Sequence, residues 1–506
     1  MSSEALWQLG PETLVAIAAV VVYVAGAFSA PRASWSWVGL AGLGAAAVCL
    51  ASTAPQAAEP LRIDALALWL RWFALASGAL LILTSWRPAA DADGAELLGS
   101  LLLIIAGMML VAAAGDLVLL FLGLELISIP TYIVLFVGRR TVEGREAAAK
   151  YFYLSILASA ILLFGLSFLY GAAGTTSIEA IHQRLLDGGG SFGGFAGLAL
   201  VFIFAGLSYK IAAVPFHFYA PDVYQGTTND GAALLSVAPK AAGFLALVRL
   251  VAVAAEGVSS DAWRIALALA VLTMTTGNLL ALWQDNLRRL LAYSSIAHAG
   301  YMLIGLAVYL GGNTLAGAAF DGVAALLFYL LLYALATVGT FAALNYLGET
   351  GQPVDHVDQL AGLAWSEEPR SRATAWLIAA FMFSLTGIPP LAGFWGKLAL
   401  FAGALGVRGT EPAMRSWFVG LAILGIANAA IAAAYYLRVV GAMFFRMPMG
   451  KPRTGGSRSA PFAAAVICAL LVVAIGLIPT PWYEAADRAT PAAAAREGPE
   501  MVADDR

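Results

Sequence analysis

Charge is scarce in this sequence. Of its 506 residues, 12% are charged and 61% are hydrophobic, where a soluble domain carries about 25% charged residues. Cysteine is scarcer still. Cys49 and Cys468 stand far apart within apolar runs and form no C-x-x-C pair, so no iron–sulfur site, zinc site or disulfide framework is expected. The start, MSSEALWQLGPETL, carries Glu4 and Glu12 but no basic residue, and so lacks the positive n-region of a cleavable signal peptide. A net charge of −3 spread over short loops gives no footprint for nucleic acid.

What is present instead is a series of apolar runs about 20 residues long, enough to cross about 30 Å of hydrocarbon as helices. Fourteen spans are expected, at about 11–29, 36–53, 64–85, 95–114, 117–138, 147–170, 193–215, 228–252, 263–283, 287–309, 322–346, 373–404, 415–443 and 461–480. The fold class is therefore an all-α integral membrane protein. Loops after odd-numbered spans hold thirteen Lys and Arg residues against five after even-numbered spans. By the positive-inside rule the first set faces the cytoplasm and both termini lie outside. The tail, residues 484–506, is rich in Ala and Pro and is expected to be disordered.

Lysine is the rarest of the charged side chains. Five of the 28 basic residues are lysines, leaving 23 arginines. Lys451 is in a loop, but Lys150, Lys210, Lys240 and Lys397 lie inside apolar spans, whereas most arginines lie in loops or at span ends. Chemistry separates the two types: arginine stays protonated, while a desolvated lysine can release its proton. Among the acids, Glu125 stands within DLVLLFLGLELISIPTYIVLF, eight residues into the span that begins at Leu117. Each charge near the bilayer centre costs about 2.5–3.5 kcal/mol on insertion scales, so such residues must be paired, hydrated or neutral. Lys150 has Glu146 at i−4, and an interfacial ion pair or snorkelling suits it as well as a pathway does. Glu125, Lys210, Lys240 and Lys397 lie too deep to snorkel.

Prolines mark breaks beside these charges. Pro215 should open the helix carrying Lys210, Pro389 and Pro390 the span carrying Lys397, and Pro239 should loosen and break the helix carrying Lys240. Irregular backbone at membrane depth is tolerated where it is buried in protein or lines a watery cavity. Two broken helices about 175 residues apart suggest two repeats. The expected division is residues 1–94, a first repeat 95–252 (spans 4–8), a second 253–445 (spans 9–13), a loop and last span 446–483, and the tail 484–506. Five spans each is an odd number, so the second copy is inverted, as in transporters with ion sites at their discontinuities. His217, after the first break, and His298, with Ser294, Ser295 and Tyr301 around it, suit a proton relay. With Glu125 and Lys210 about 7 Å apart at an effective dielectric of about 20, their attraction would be roughly 2.4 kcal/mol. Separating them would then send the lysine's proton onward, towards Lys240 and Lys397.

Taken together, GLELISIPTYIV, SYKIAAVPFHFYAPDVYQG, LLAYSSIAHAGY and TGIPPLAGFWGK closely resemble subunit N of bacterial NADH-quinone oxidoreductase, respiratory complex I, over about residues 95–445. Antiporter-like subunits L and M and the multisubunit cation/proton antiporters share a looser version. Lys397 in the twelfth span, where subunit M has a glutamate, and the absence of a long lateral helix favour subunit N. The resemblance implies a proton pathway of Glu125, Lys210, Lys240 and Lys397, supported by Lys150, His217 and His298. It also implies that no cofactor is bound by this chain: NADH, FMN, iron–sulfur clusters and quinone belong to other subunits. The implied partners are other membrane-arm subunits of complex I, including antiporter-like ones, together with the lipid bilayer, protons and internal water, in the bacterial inner membrane. The runner-up is a cation/proton antiporter component. A scaffold whose charges lock helices together is a third reading. A G-x-G-x-x-G at Gly188–Gly193 lacks a βαβ context and reads as a linker. Asp355, His356 and Asp358 sit in a polar loop and are expected to be merely solvated.

Overall fold

In hydrocarbon, backbone N–H and C=O groups must be satisfied within the segment itself, and runs of Leu, Ala, Val and Ile meet that demand as helices. The structure, a computed structural model, describes residues 7–28, 34–86, 93–187, 193–258, 262–311, 320–348, 353–408, 412–448, 454–456 and 459–490. Its helices in order are α1 Gly10–Phe28, α2 Ser34–Ala51, α3 Ala65–Thr84, α4 Gly94–Ala113, α5 Leu117–Gly138, α6 Val142–Ala173, α7 Ile178–Asp187, α8 Gly193–Ile211 and α9 Ala220–Gly226. There follow α10 Asn229–Val258, α11 Ala262–Ala281, α12 Leu287–Leu310, α13 Gly322–Leu347, α14 Pro369–Thr386, α15 Ala392–Gly406, α16 Pro412–Phe445, α17 Ser459–Leu477 and α18 Thr480–Arg488. A two-stranded hairpin pairs Gln56–Ala58 with Leu61–Ile63.

Among the described residues, eleven helices are long and apolar enough to cross a membrane. Of the remaining spans expected from sequence, Trp35–Ala51 and Phe195–Ile211 are apolar but shorter, and the span at 373–404 is divided between α14 and α15. α10, α12 and α13 are buried on nearly all sides and form the centre of the molecule. Outer helices present one apolar stripe to the surroundings, as on α5, where Val118, Leu122, Ile129 and Phe136 are exposed. Glu125, seven residues after Val118, lies at the edge of that stripe and is 21% exposed, whereas Ser128 is buried.

Two expectations are corrected. Pro239 does not break its helix: α10 runs through it without interruption. A proline costs a helix about 3 kcal/mol, but here every neighbouring position is buried and the surrounding helices hold the backbone in register. The tail is also not unstructured from Glu484, because α18 covers Thr480–Arg488. The Tyr483 hydroxyl accepts the Asp321 N–H at 3.0 Å, and its ring packs edge-on against Phe320 and Phe328. Residues 491–506, and 188–192 of the glycine-rich motif, lie outside the described residues.

Candidate functional site

The first break begins two residues after Lys210. Pro215 cannot donate a backbone hydrogen bond and disfavours a helical residue before it, so α8 stops at Ile211 and the chain turns helical again only at Ala220. Ala212 takes a left-handed φ of 57°, a conformation costing a non-glycine residue about 1–2 kcal/mol. Contacts from outside the helix hold the turn: the Thr273 hydroxyl of α11 accepts the Val214 N–H at 3.0 Å. On the other side α10 closes in at Gly243, where a Cβ would come within 2.7 Å of Ile211 Cγ2.

Lys210 is 4% exposed, and its ammonium is enclosed by three oxygens from α5 and α6. Nζ donates to Ser128 Oγ at 2.6 Å, to Ser159 Oγ at 3.3 Å and to Glu125 Oε1 at 3.4 Å. Ser159 in turn donates to Glu125 Oε1 at 2.5 Å. The pair is thus a direct contact, about half the separation assumed from sequence.

Lys240 is buried on α10, and its Nζ donates to the carbonyl of Ser295 on α12. The Tyr333 ring lies 5.5 Å from Nζ, and the Tyr333 hydroxyl donates to Ser295 Oγ at 2.7 Å. Three residues on, His298 is held at both ring nitrogens, with Nδ1 2.7 Å from Tyr329 Oη and Nε2 2.9 Å from Tyr436 Oη. Tyr436 also bonds Ser294. A hydroxyl can donate or accept, so the contacts of His298 with Tyr329 and Tyr436, and of Tyr436 with Ser294, allow a proton to be handed on in either direction, whereas the Ser295 carbonyl only accepts from Lys240.

The second break has the same logic with different parts. α14 ends at Thr386, and the last carbonyls of a helix lack intrahelical partners and carry partial negative charge. Lys397 Nζ, from α15, fills that end by donating to Leu385 O at 2.9 Å and Thr386 O at 2.8 Å. Gly387 makes the approach possible: its φ is +93°, and a Cβ there would lie 3.0 Å from Lys397 Cδ. Tyr301 lies beneath the ammonium, 5.0 Å from Nζ, and its hydroxyl accepts from Asn278 at 3.4 Å.

The remaining candidates lie apart from this axis. Lys150 is 40% exposed and bridges Glu146 and Asp222, each at 2.7 Å, while Asp222 also receives Arg289 at 2.6 Å. His217 sits in the first break with Nδ1 buried and without a hydrogen-bond partner among the described residues. No described hydrogen bond joins it to Lys210. Asp355 corrects another expectation. Far from being merely solvated, it pairs with Arg288 at 2.7 Å and Arg139 at 3.5 Å, and Arg288 is 1% exposed. Asp358 pairs with Arg446 and is largely exposed. Among the described residues, no three His, Cys, Asp or Glu side chains cluster as a metal site would require.

Sequence reasoning missed several participants. Arg71 of α3 is fully buried and pairs with Glu12 of α1 at 2.7 Å. Arg249 of α10 pairs with Asp64 at 2.9 Å and donates to Ala112 O. Both arginines lie inside apolar spans, which was the available signal. Ser128, Ser159, Tyr329 and Tyr436 gave none, since serine and tyrosine are ordinary in such helices.

Residues 114–424, which contain Glu125, Lys210, Lys240 and Lys397, match the family described as NADH:quinone oxidoreductase/Mrp antiporter, TM. Over 93% of its length the chain is 36% identical to NADH-quinone oxidoreductase subunit N of Trichlorobacter lovleyi, covering 94% of that protein. It is 40% identical over 76% of its length to subunit N of Rhizorhabdus wittichii, covering 75% of it. The chain belongs to the subunit N family. Among solved structures, a chain of respiratory complex I from Thermus thermophilus with bound aureothin superposes with a TM-score of 0.77 at 33% identity, covering 94% of this chain and 98% of that one. The subunit N fold extends further: a chain of the Mrp complex from a Dietzia species superposes with a TM-score of 0.75 at 23% identity, covering 97% of each.

Proposed function

We propose that this chain is the proton-translocating subunit N of an NADH-quinone oxidoreductase, with Glu125, Lys210, Lys240 and Lys397 as its pathway and His298 as a relay. The observation that carries this reading is the direct Glu125–Lys210 contact at a helix break, with Ser128 and Ser159 completing the shell. In this reading Lys210 holds a proton while Glu125 is close and gives it up when the two separate. Lys240 and His298 pass charge along the hydroxyls of Ser295, Tyr333, Tyr329 and Tyr436. Lys397 is the distal acceptor, stabilised by helix-end carbonyls when charged. Lys150 and His217 are supporting groups at the margin.

The architecture proposed with it has fourteen spans, the divided 373–404 segment counted once, and two inverted five-helix repeats at residues 95–252 and 253–445. Both termini face the periplasm of a bacterial inner membrane. No redox centre is assigned to this chain; FMN, iron–sulfur clusters and the sites for NADH and quinone lie in partner subunits, and other membrane-arm subunits flank it. Purification from native membranes through a tag on this chain tests the assignment. Flavin absorbance, iron–sulfur signals and NADH-quinone reductase activity should co-purify. A complex without flavin or clusters that exchanges cations for protons would assign the chain to the antiporters instead.

A further inference from the structure

Two hydroxyls stand beside the Glu125–Lys210 pair, buried and without a hydrogen-bond partner among the described residues: Tyr132 Oη on α5 and Ser155 Oγ on α6. Ser155 is wholly inaccessible. The Tyr132 oxygen lies near the hydroxyls of Ser155 and Ser128 without reaching bonding geometry to either. Leaving a buried hydroxyl unpaired is costly, and native structures rarely leave one so. A small polar site with several such groups is where internal water binds, making about three hydrogen bonds.

The spacing gives this site a direction. Glu125, Ser128 and Tyr132 follow one another at steps of three and four on α5, and Tyr151, Ser155 and Ser159 at steps of four on α6, so each set shares one helix face. The two helices pack together. Ser128 and Ser159 hold Lys210; Tyr132 and Ser155 lie one turn, about 5.4 Å, further along, towards the half-exposed Lys150. The Tyr132 ring packs edge-on against Tyr151 and Phe152, at 5.8 and 5.2 Å. A tyrosine serving only as an interfacial anchor would send its hydroxyl out to the headgroups. This one is turned inwards, beside a serine.

We propose that Tyr132 and Ser155 hold an internal water beside the Glu125–Lys210 pair and form the last step of proton uptake into it from the Lys150 side. The proposal rests on the pathway reading given above. A proton reaching the water from that side forms a new O–H bond there. The water releases a different proton to a serine hydroxyl, which passes its own to the Glu125 carboxylate. One O–H bond breaks for each that forms, and nothing is oxidised or reduced.

The test uses the complete complex in sealed membrane vesicles, with assembly checked on native gels. Ser155→Ala and Tyr132→Phe together should leave assembly intact and lower proton pumping and coupled turnover about tenfold. The solvent deuterium isotope effect on turnover should rise, because proton transfer becomes limiting. Ser155→Thr, which keeps the hydroxyl, should return pumping to within about twofold of the parent. A packing role predicts the reverse, with Ala tolerated, Thr harmful and the isotope effect unmoved, and that pattern overturns the proposal. Lys210→Ala is run in parallel. If it abolishes pumping while the double variant pumps normally, this proposal alone fails; if Lys210→Ala pumps normally, the pathway reading beneath it fails as well.

Discussion

Replacing Glu125 with Gln removes one negative charge while keeping the side chain's shape and its ability to accept from Ser159. The charge it removes lies 3.4 Å from Lys210 Nζ. At an effective dielectric of about 20 that contact is worth about 5 kcal/mol, and about half that when the solvent reach of a partly exposed carboxylate is counted. Because every 1.4 kcal/mol is a factor of ten, the charged and neutral forms of Lys210 should shift relative to each other by about 60-fold or more. The expected outcome is an assembled complex that oxidises NADH and pumps at least about tenfold more slowly, read by a pH-sensitive dye in sealed vesicles. A double-mutant cycle with Lys210→Met separates this mechanism from general damage. If the two residues act as a pair, the double variant is no worse than the worse single one. Pumping by Glu125→Gln within about twofold of the parent, or losses that simply multiply, would refute the coupling argued from the geometry.

Other elements lend themselves to shorter tests. Gly387→Ala places a Cβ 3.0 Å from Lys397 Cδ at a φ of +93°, so it should strain the turn by about 1–2 kcal/mol and displace the ammonium from the α14 carbonyls. Pumping should fall several-fold in an assembled complex, and unchanged pumping would mean that the carbonyl contacts are dispensable. Arg71→Met leaves the buried Glu12 without its partner, a loss of about 3–5 kcal/mol, and should lower the yield of complex on native gels. Adding Glu12→Leu should restore that yield; if it does not, the arginine does more than neutralise the glutamate.

The parts of this protein legible in the sequence are those where a residue type is out of place. An amine in hydrocarbon is costly enough to be conspicuous, so Lys210, Lys240 and Lys397 stood out, as did the prolines that free a backbone beside two of them. The partners of those amines did not stand out. Ser128 and Ser159 are cheap to bury, since a helical serine can bond its own i−4 carbonyl, as Ser128 does to Leu124. Only the approach of α8 to α5 and α6 turns them into ligands of an ammonium. Pro239 misled because a proline rule written for an isolated helix does not include the neighbours that hold α10 straight. Asp355 misled because its partners come from distant segments, Arg139 and Arg288, brought in when the loop pairs with residues 285–287 through Leu287 N to Asp355 O and Val357 N to Asp285 O. Composition cannot anticipate pairing of that kind. The same holds for α18, whose order depends on Tyr483 finding Phe320, Asp321 and Phe328.

The central claim is that Lys210, at the break in the helix, carries a proton in a redox-driven pump. Proton pumping measured beside quinone reductase activity in membranes carrying Lys210→Ala, with assembly verified on a native gel, tests it most directly. The account predicts an assembled complex that has lost pumping, or both coupled activities together. Normal pumping at normal turnover would contradict it, because the amine enclosed by Glu125, Ser128 and Ser159 would then be dispensable.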